Sequence, residues 1–329
     1  VLKKTPKGAP STDASVLEEL SKSHELPKLI LKYREYEKLR STYIEGLKNE
    51  VVKNRVHTSY NLFGTTTGRL SSEKPNLQNI PNKTDMGQRI REFFIADSKH
   101  VFVIADYSQI ELRVLAHLSN DKSMIDMLQN RESDIHSETA SKIFQTNIES
   151  VTKDMRRKAK EVNFGLIYGM ESFGLSKSLN ISKKEAEELI EAYFSQFPKI
   201  KGFLDKIVDD ATTNTFTETL YGRKRYIKEL ASSNFQLKAM GKRIAMNAPI
   251  QGTASDIMKI AMIKLNKEIQ KIKSTDLLLQ IHDEIIIQTP KESANKVSKI
   301  VKKEMEGASK LKVPLFVDIK ENINLSNLN

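Results

Sequence analysis

Three acidic residues stand at the ends of short apolar runs in this chain. Asp106 follows VFVIA, and Asp283 and Glu284 lie between LLLQI and IIIQT. A carboxylate beside a sheet core loses solvation, so it must face a cleft, pair with a cation or bind a metal. Each acid taken alone could instead be an ordinary turn residue that accepts backbone N–H groups. Three acids in two apolar frames favour a metal site, and such sites serve phosphoryl transfer.

The rest of the composition restricts the kind of metal. The chain has no cysteine, and its six histidines lie at scattered spacings unlike those of zinc motifs. The predicted metal is therefore hard and oxygen-bound, which favours Mg²⁺. Two such ions about 4 Å apart lower the pKa of an attacking hydroxyl and neutralise charge on a leaving phosphate.

A second pattern of residues that could bind a ligand recurs every four positions in RRKAKEVNFGLIYG. Arg156, Lys160, Phe164 and Tyr168 would form one drifting stripe on an α-helix, with Arg156 about 12 Å from Phe164. The cations could hold a triphosphate and the rings a sugar or base. An amphipathic helix with solvated cations and packed rings would show the same spacing. Two glycines in the segment favour close approach by a flat base.

The elements that must position these residues are readable from hydrophobic periodicity. The runs at 101–105, 277–281 and 285–289 predict strands, the last two as a tight hairpin. Helical spacing resumes at 111–118, and it dominates between 119 and 270. Stops in that long helical stretch are predicted at Gly169, Gly174, Pro198, Gly202 and Pro249. The pattern predicts a small sheet interrupted by a large helical insertion.

The first quarter of the chain has a different character. Residues 11–49 carry helical spacing, which predicts two helices interrupted at Pro27. Residues 54–85 are rich in Thr, Ser, Asn, Gly and Pro without forming a repeat, and this composition predicts a structured loop region.

Length and charge set wider bounds. At 329 residues the chain exceeds what one compact core usually supports, and two or three substructures are expected. Its net charge of +11 suits a polyanionic partner such as nucleic acid, although charge alone is weak support. No apolar run approaches the roughly 20 residues that a bilayer demands. The start at Val1 lacks signal-peptide features, and an intracellular segment of a longer protein is expected.

Six ordered motifs give the chain a specific resemblance. They are TGRLSSEKPNLQNIP (67–81), DYSQIELR (106–113), DIHSETA (134–140), RRKAKEVNFGLIYG (156–169), NAPIQGTASD (247–256) and QIHDE (280–284). Along essentially its whole length the chain resembles family A DNA polymerases, the bacterial DNA polymerase I type.

The resemblance implies an α+β right-hand polymerase fold. In that fold an antiparallel palm sheet carries a large helical fingers insertion and a partial helical thumb. Applied to this sequence, the implied segments are a partial thumb at 1–50, the palm at 51–115 and 240–329, and the fingers at 116–239.

The resemblance also implies catalytic roles. By motif match, Asp106 and Asp283 bind both Mg²⁺ ions, the Tyr107 carbonyl completes one site, and Glu284 assists nearby. Lys160 is suited to protonate the leaving pyrophosphate. These roles sharpen the metal site that the apolar frames already indicated.

Nucleotide-binding roles follow from the same motifs. Arg156, Lys160 and His136 are implied to hold the triphosphate, Phe164 to pack on the sugar and Tyr168 to guard the template base.

Glu111 stands where the family places a steric gate against the ribose 2′-hydroxyl, although a helix-surface acid at this position is the alternative.

Seven further positions match residues that touch primer and template in the family, namely Arg69, Asn76, Asn79, Arg243, Asn247, Gln251 and His282. Donors there can test base-pair shape because the minor groove offers similar acceptors on every pair. Each could instead be a capping or loop-stabilising residue.

The resulting hypothesis is a DNA-templated DNA polymerase. It would add deoxynucleoside triphosphates to a primer 3′ end by two-metal phosphoryl transfer in replication and repair, as a monomer in the cytoplasm, associated with the nucleoid. Its partners would be primer–template DNA and dNTPs, with two Mg²⁺ as cofactor, and no proofreading nuclease is expected in this segment. The alternatives are a phage-type RNA polymerase, a silent DNA-binding module and a metal nuclease.

Overall fold

The computed structural model describes residues 3–82 and 84–326. Its helices are α1 (Ala14–Leu20), α2 (Glu25–Leu39), α3 (Gly46–Asn49), α4 (Asp85–Arg91), α5 (Ile110–Ser119), α6 (Lys122–Met127), α7 (Ile135–Ile143), α8 (Lys153–Ile167), α9 (Ser172–Leu179), α10 (Lys183–Gln196), α11 (Pro198–Asn214), α12 (Phe235–Ile269) and α13 (Ala294–Glu306). Its strands are β1 (Val51–Val52), β2 (Arg55–Val56), β3 (Ser59–Asn61), β4 (Ser71–Glu73), β5 (His100–Tyr107), β6 (Phe216–Glu218), β7 (Lys224–Tyr226), β8 (Asp276–Ile281), β9 (Glu284–Pro290) and β10 (Val317–Asn322).

The chain divides into two compact units. The smaller unit comprises Val1–Asn61, Ser71–Ile95 and Asn324–Asn329, and the larger comprises Leu62–Leu70 and Ala96–Ile323. Neither unit coincides with one of the segments named from the sequence, so the boundaries of palm, fingers and thumb stay a prediction.

A four-stranded antiparallel sheet, in the order β10-β5-β9-β8, lies in the larger unit. Strand β5 is central and almost wholly buried, because its apolar residues contact helices rather than water. Its partners β9 and β10 come from the last fifth of the chain, while helices dominate the intervening sequence. The predicted small sheet with a large helical insertion is confirmed.

The main core lies between this sheet and the helices around it. Helix α13 packs on β5 and β10, and α12 packs on α5 and α13. Val103, Leu112, Ile257 and Ile285 are fully buried members of this core. Burying each such side chain stabilises the fold by about 1.5–3 kcal/mol, which holds β5 and the start of α5 in place.

Helix α12 runs for 35 residues with Pro249 inside it. The predicted stop at Pro249 is therefore wrong, as are those at Gly174 and Gly202, which lie within α9 and α11. Residues 248–250 are buried, and their packing offsets the roughly 3 kcal/mol that an interior proline costs. Although α12 is long, no helix in the described part of the chain is long and apolar enough to cross a membrane.

The other breaks in the helical stretch fall as predicted, with one addition. Helix α8 ends just before Gly169, and Pro198 is the first residue of α11. Between α11 and α12 the strands β6 and β7 form a hairpin that the helical pattern did not indicate. Three-residue strands are too short to produce a detectable alternation.

The smaller unit corrects the predicted N-terminal helices. The break between α1 and α2 falls at residues 21–24 rather than at Pro27, which lies in the first turn of α2. Proline is tolerated there because first-turn N–H groups have no intrahelical acceptor. The polar region 54–85 contains β3 paired with β4 and a 3₁₀ turn, Leu77–Asn79, as expected of a structured loop.

Arg113 is the buried anchor at the start of the insertion. Its Nε donates to the Ser108 carbonyl at 2.8 Å, and its Nη1 donates to the carbonyls of Leu128 at 2.9 Å and Pro314 at 2.8 Å. The guanidinium lies 4.5 Å from the ring centre of Phe316. One side chain thus joins β5, the end of α6 and the approach to β10.

Replacing Arg113 with Ala is expected to destabilise the protein by about 3–5 kcal/mol, because one buried and two partly buried carbonyls lose a charged donor. Urea unfolding measures this loss. Arg157→Ala is the matched control, since Arg157 pairs with Asp154 on an exposed helix face and its removal should cost at most about 1 kcal/mol. Equal effects of the two substitutions would contradict the anchoring role.

Candidate active site

Acidic side chains meet at one end of the central sheet. Asp106 in β5 is paired directly opposite Glu284 in β9 and directly opposite Asp318 in β10. Directly opposed residues of antiparallel strands share one face of the sheet, so these three carboxylates lie on the same face. The hairpin β8–β9 turns through His282 and Asp283, and the Asp283 carbonyl accepts from the Tyr107 N–H at 3.1 Å. The strand register therefore brings the two predicted apolar frames together.

Crowding of like charges changes the titration of this cluster. Solvent reaches Asp106, yet desolvation by the surrounding protein, together with Glu284, Asp283 and Asp318, raises its pKa to about 7. Burial also raises the pKa of Asp283, while nearby Arg69 opposes that shift. Carboxylates in this arrangement favour a bound cation, because it relieves their repulsion.

Within residues 3–82 and 84–326, no group of three or more His, Asp or Glu side chains is arranged to hold a metal by itself. Mg²⁺ is commonly held by one or two carboxylates together with water and substrate phosphates. The donor set of Asp106, Asp283 and a backbone carbonyl therefore fits Mg²⁺.

Asp318 is a site residue that the sequence analysis missed. The Ser108 hydroxyl donates to its Oδ2 at 2.5 Å, and Arg131 lies 3.7 Å from its Oδ1. Asp318 stands between apolar Val317 and Ile319, so the alternation marks a strand with one polar face. Only the register of β10 against β5 reveals that this face is the one that carries Asp106.

Glu111 forms a second constellation with Arg69 and Tyr168. One Glu111 carboxylate oxygen accepts from Arg69 Nη2 at 2.6 Å, and the other accepts from the Tyr168 hydroxyl at 2.8 Å. Glu111 is 5% exposed, which excludes the alternative of a helix-surface acid. Burial raises its pKa, although Arg69 and Tyr168 stabilise the charged form. Three residues predicted to serve the nucleotide or the DNA are thus in direct contact.

Helix α8 carries the predicted cation and aromatic stripe. Thr152 caps its N-terminus, and Tyr168 lies at its C-terminal end. Arg156 donates to Asp134 through Nε at 2.6 Å, whereas Lys160 is exposed and makes no hydrogen bond or ion pair with the described residues. One cation of the stripe is therefore held in place and the other is available to an anion.

His136 lies beside this stripe in the first turn of α7. The side-chain amide nitrogen of Asn163 lies 3.2 Å from His136 Nδ1, and since an amide nitrogen can only donate, Nδ1 accepts. The imidazole centre is 5.6 Å from that of Phe164. Burial, reinforced by Arg156 and Lys160, lowers the pKa of His136 to about 4. A neutral ring with a proton on Nε2 can donate to an anionic ligand at neutral pH.

Gly165 in α8 and Gly169 just after it were predicted to allow close approach by a flat base, but the structure gives a different reason for them. Gly169 has φ +67, and a Cβ there would lie 2.9 Å from Cγ of Arg243. A Cβ on Gly165 would lie 3.1 Å from the sulfur of Met170. The close approach comes from protein side chains, so the inference of a flat base at these glycines is not needed.

The predicted DNA contacts of the larger unit include three on one helix. Arg243, Asn247 and Gln251 follow one another at four-residue intervals along α12 and so share a face. Arg243 is exposed, and the other two are half-buried. His282 lies in the hairpin turn with φ +55, and its surface is exposed overall. Partial desolvation of its imidazole ring by the neighbouring protein lowers its pKa.

The two remaining predicted DNA contacts lie in the smaller unit. Asn76 caps the 3₁₀ turn, and its side chain accepts from the Gln78 N–H at 3.0 Å. The Asn79 backbone carbonyl accepts from the Tyr43 hydroxyl. Both asparagines are exposed, and the capping alternative is realised for Asn76.

Several bacterial proteins are similar in sequence to almost the whole length of this chain. DNA polymerase I of Caldicellulosiruptor bescii is 51% identical over 98% of this chain and 38% of its own. DNA polymerase I of Geobacillus stearothermophilus is 48% identical over 97% of this chain and 36% of its own. The thermostable DNA polymerase I of Thermus aquaticus is 46% identical over 95% of this chain. The chain therefore spans less than two fifths of the length of these relatives.

A solved structure gives the same picture for the fold. The POL domain of Pol1 from M. smegmatis, in complex with DNA primer-template and dNTP, superposes with a TM-score of 0.93 at 39% identity. The match covers 98% of this chain and 57% of that one. The mixed helix and strand architecture is thus that of a polymerase domain. Residues 1–326 match the model of DNA polymerase family A, and the chain belongs to that family.

Proposed function

We propose that this chain is the catalytic core of a DNA-templated DNA polymerase, which extends a primer 3′ end with deoxynucleoside triphosphates. The observation that carries the proposal is the acidic cluster around Asp106, where three carboxylates share one face of the central sheet. Family membership supplies the reaction class. The related Pol1 domain is described in complex with DNA primer-template and dNTP, the partners proposed here.

The proposal includes the right-hand architecture. Residues 51–115 and 240–329, which include the sheet of β5, β8, β9 and β10, would be the palm, residues 116–239 the fingers, and residues before 51 part of a thumb. The acids would then stand on the palm at the point where a primer end meets an incoming nucleotide. Activity is proposed for a monomer in the cytoplasm, associated with the nucleoid, in replication and repair, with no proofreading by these residues.

Asp106, Asp283 and the Tyr107 carbonyl would hold two Mg²⁺ ions, with Glu284 assisting. Bound Mg²⁺ would lower the pKa of the primer hydroxyl and neutralise charge on the phosphates. The chain's own part is to keep the carboxylates at fixed positions on paired strands. Because desolvation and repulsion from Glu284, Asp283 and Asp318 together raise the pKa of Asp106, a bound cation would stabilise its charged form.

The nucleotide would lie along α8. Lys160 and Arg156 would pair with the triphosphate, and Arg156 would exchange its contact with Asp134 for phosphate oxygens. Neutral His136 would donate from Nε2, and Lys160 would protonate the departing pyrophosphate. Phe164, half-buried beside His136, would pack on the sugar.

The Glu111 constellation would select the sugar and guard the pair. Glu111 would exclude a ribose 2′-hydroxyl, Tyr168 would stand at the template base, and Arg69 would reach the minor groove. Asn76, Asn79, Arg243, Asn247, Gln251 and His282 are proposed as the further contacts to primer and template. Minor-groove acceptors are similar on all pairs, so such contacts tolerate any sequence.

Asp106→Asn is expected to slow primer extension by about 10³-fold or more, because the replaced carboxylate is proposed to bind both ions. Affinity for primer–template DNA, measured by fluorescence anisotropy, should change less than about twofold. Thermal stability should not fall, since the substitution removes repulsion from three carboxylates.

Asp276→Asn is the matched control, because Asp276 opens β8 on the same sheet without a place in the cluster. Its extension rate should equal that of the wild type. Appreciable extension by the Asp106 variant would refute its assignment as a metal ligand.

Glu111→Ala is expected to lower the preference for dNTP over rNTP by at least about tenfold, since the carboxylate no longer fills the space of a 2′-hydroxyl. Glu111→Gln keeps the side-chain volume and should retain most of the preference. Single-nucleotide insertion kinetics with both substrates measure the ratio. If the two variants discriminated equally well, volume at this position would not be the gate.

The free energy of unfolding is expected to decrease as the pH is lowered, because His136 is neutral in the folded protein. Its pKa is lowered to about 4 in the folded protein, whereas an unfolded histidine titrates near about 6.5. Between these values only the unfolded state binds the proton, so lowering the pH from about 7.5 to 5 should cost roughly 2 kcal/mol. Urea unfolding at both pH values measures the difference for wild type and His136→Gln.

The variant should lack most of this pH-dependent loss. His57→Gln, at an exposed histidine of the smaller unit, is the control and should behave like the wild type. An unchanged pH dependence in His136→Gln would show that other groups are responsible.

A further inference from the structure

The segment Leu62–Leu70, which carries Arg69, is held by polar contacts on both sides of that residue. The Ser255 hydroxyl of α12 donates to the Gly68 carbonyl at 2.8 Å. The Thr65 hydroxyl donates to the Arg69 carbonyl at 2.7 Å. Ser255 is buried, so its contact is shielded from water. The backbone from which the Arg69 side chain extends is therefore fixed.

A guanidinium packs directly against this backbone. Gly68 has φ +82, and a Cβ built on it would lie 2.7 Å from Nε of Arg223 and 3.0 Å from its Cδ. No larger residue fits without moving the arginine, and an L side chain would also be strained at this φ. Arg223 thus sets how closely residue 68 approaches the hairpin β6–β7.

Arg223 is in turn fixed by a buried acid. Its Nε and Nη2 both donate to Oδ1 of Asp256, at 2.9 and 2.6 Å. The Thr219 hydroxyl donates to Oδ2 of the same carboxylate at 2.8 Å. Asp256 is 6% exposed, whereas the Arg223 side chain is 40% exposed, so water screens the ion pair in part, and its two hydrogen bonds to one oxygen orient the guanidinium.

These contacts continue to the Glu111 constellation. From Asp256 they pass through Arg223 and Gly68 to Arg69, whose Nη2 lies 2.6 Å from Glu111. A long arginine side chain can hold Glu111 in one orientation only if its own backbone is fixed. Displacement of a positioning group by about 1 Å can cost a large factor in rate.

We infer that Arg223 and Asp256 are positioning residues, which set the place of Arg69 and thereby the orientation of Glu111 that selects the incoming sugar. The inference rests on the proposed function, because it assigns a role within the same nucleotide site. Neither residue touches the proposed substrate. The competing role for the pair is simple anchoring of the hairpin, which would affect stability without affecting sugar selection.

The test measures kcat/KM for dNTP and rNTP insertion together with the melting temperature. Arg223→Ala is expected to lower the dNTP preference by roughly tenfold, through a rise in kcat/KM for rNTP relative to dNTP, because a displaced Glu111 no longer excludes the 2′-hydroxyl. Lys224→Ala is the matched control, since it removes one exposed cation from the same hairpin, and its discrimination should equal that of the wild type. Arg223→Lys keeps the charge toward Asp256 and should recover part of the preference.

A double substitution tells positioning from anchoring. If Arg223 acts through Glu111, adding Arg223→Ala to Glu111→Ala should leave the already lowered preference unchanged within about twofold. Unchanged discrimination in Arg223→Ala, with or without a lower melting temperature, would overturn the inference. Equal losses with and without Glu111 would overturn it as well. Absence of extension by the wild type would instead refute the proposed function, and this result is distinct from both.

Discussion

Repulsion among acidic side chains at one end of the central sheet is the constraint on which the rest of the structure depends. Asp106, Glu284 and Asp318 share a face because β9 and β10 flank β5 in a fixed register, and Asp283 adds a fourth carboxylate from the hairpin turn. Such a concentration of charge costs stability unless a cation compensates it. The burial of β5, the packing of α13 and the hydrogen bonds of Arg113 oppose that cost, because they stabilise the fold that holds these strands in register.

Helix α12 extends this rigidity to the other parts of the site. Arg243 packs against Gly169 at the end of α8, Gly252 lies close to Thr219 of the hairpin region, and Ser255 bonds to Gly68. A Cβ on Gly252 would lie 2.5 Å from Cγ2 of Thr219. One continuous helix therefore positions α8, the hairpin β6–β7 and the Arg69 segment relative to one another.

The sequence predicted the sheet, the hairpin and the acids at their ends, because a buried strand leaves an unmistakable apolar run beside Asp106 and Asp283. It also predicted that Arg156, Lys160 and Phe164 lie on one helix. Asp318 escaped notice because its importance arises from strand register, which no local pattern encodes. Arg223 and Asp256 escaped for a related reason: 33 residues separate them, and their contact depends on how the hairpin packs on α12. Local rules failed at Pro249 because tertiary burial outweighed them.

The large insertion between β5 and its partners has a consequence for how the chain folds during synthesis. Strand β5 ends at Tyr107, whereas β9 begins at Glu284 and β10 at Val317. At about 5–20 residues per second, a ribosome needs roughly 10–35 s to make the intervening segment. During that time an apolar strand destined for the centre of a sheet has neither neighbour. Helix α13, which packs on β5, also follows β9 in the sequence, so the apolar residues of β5 wait for their covering helix as well as for their strand partners and are open to contact with other chains meanwhile.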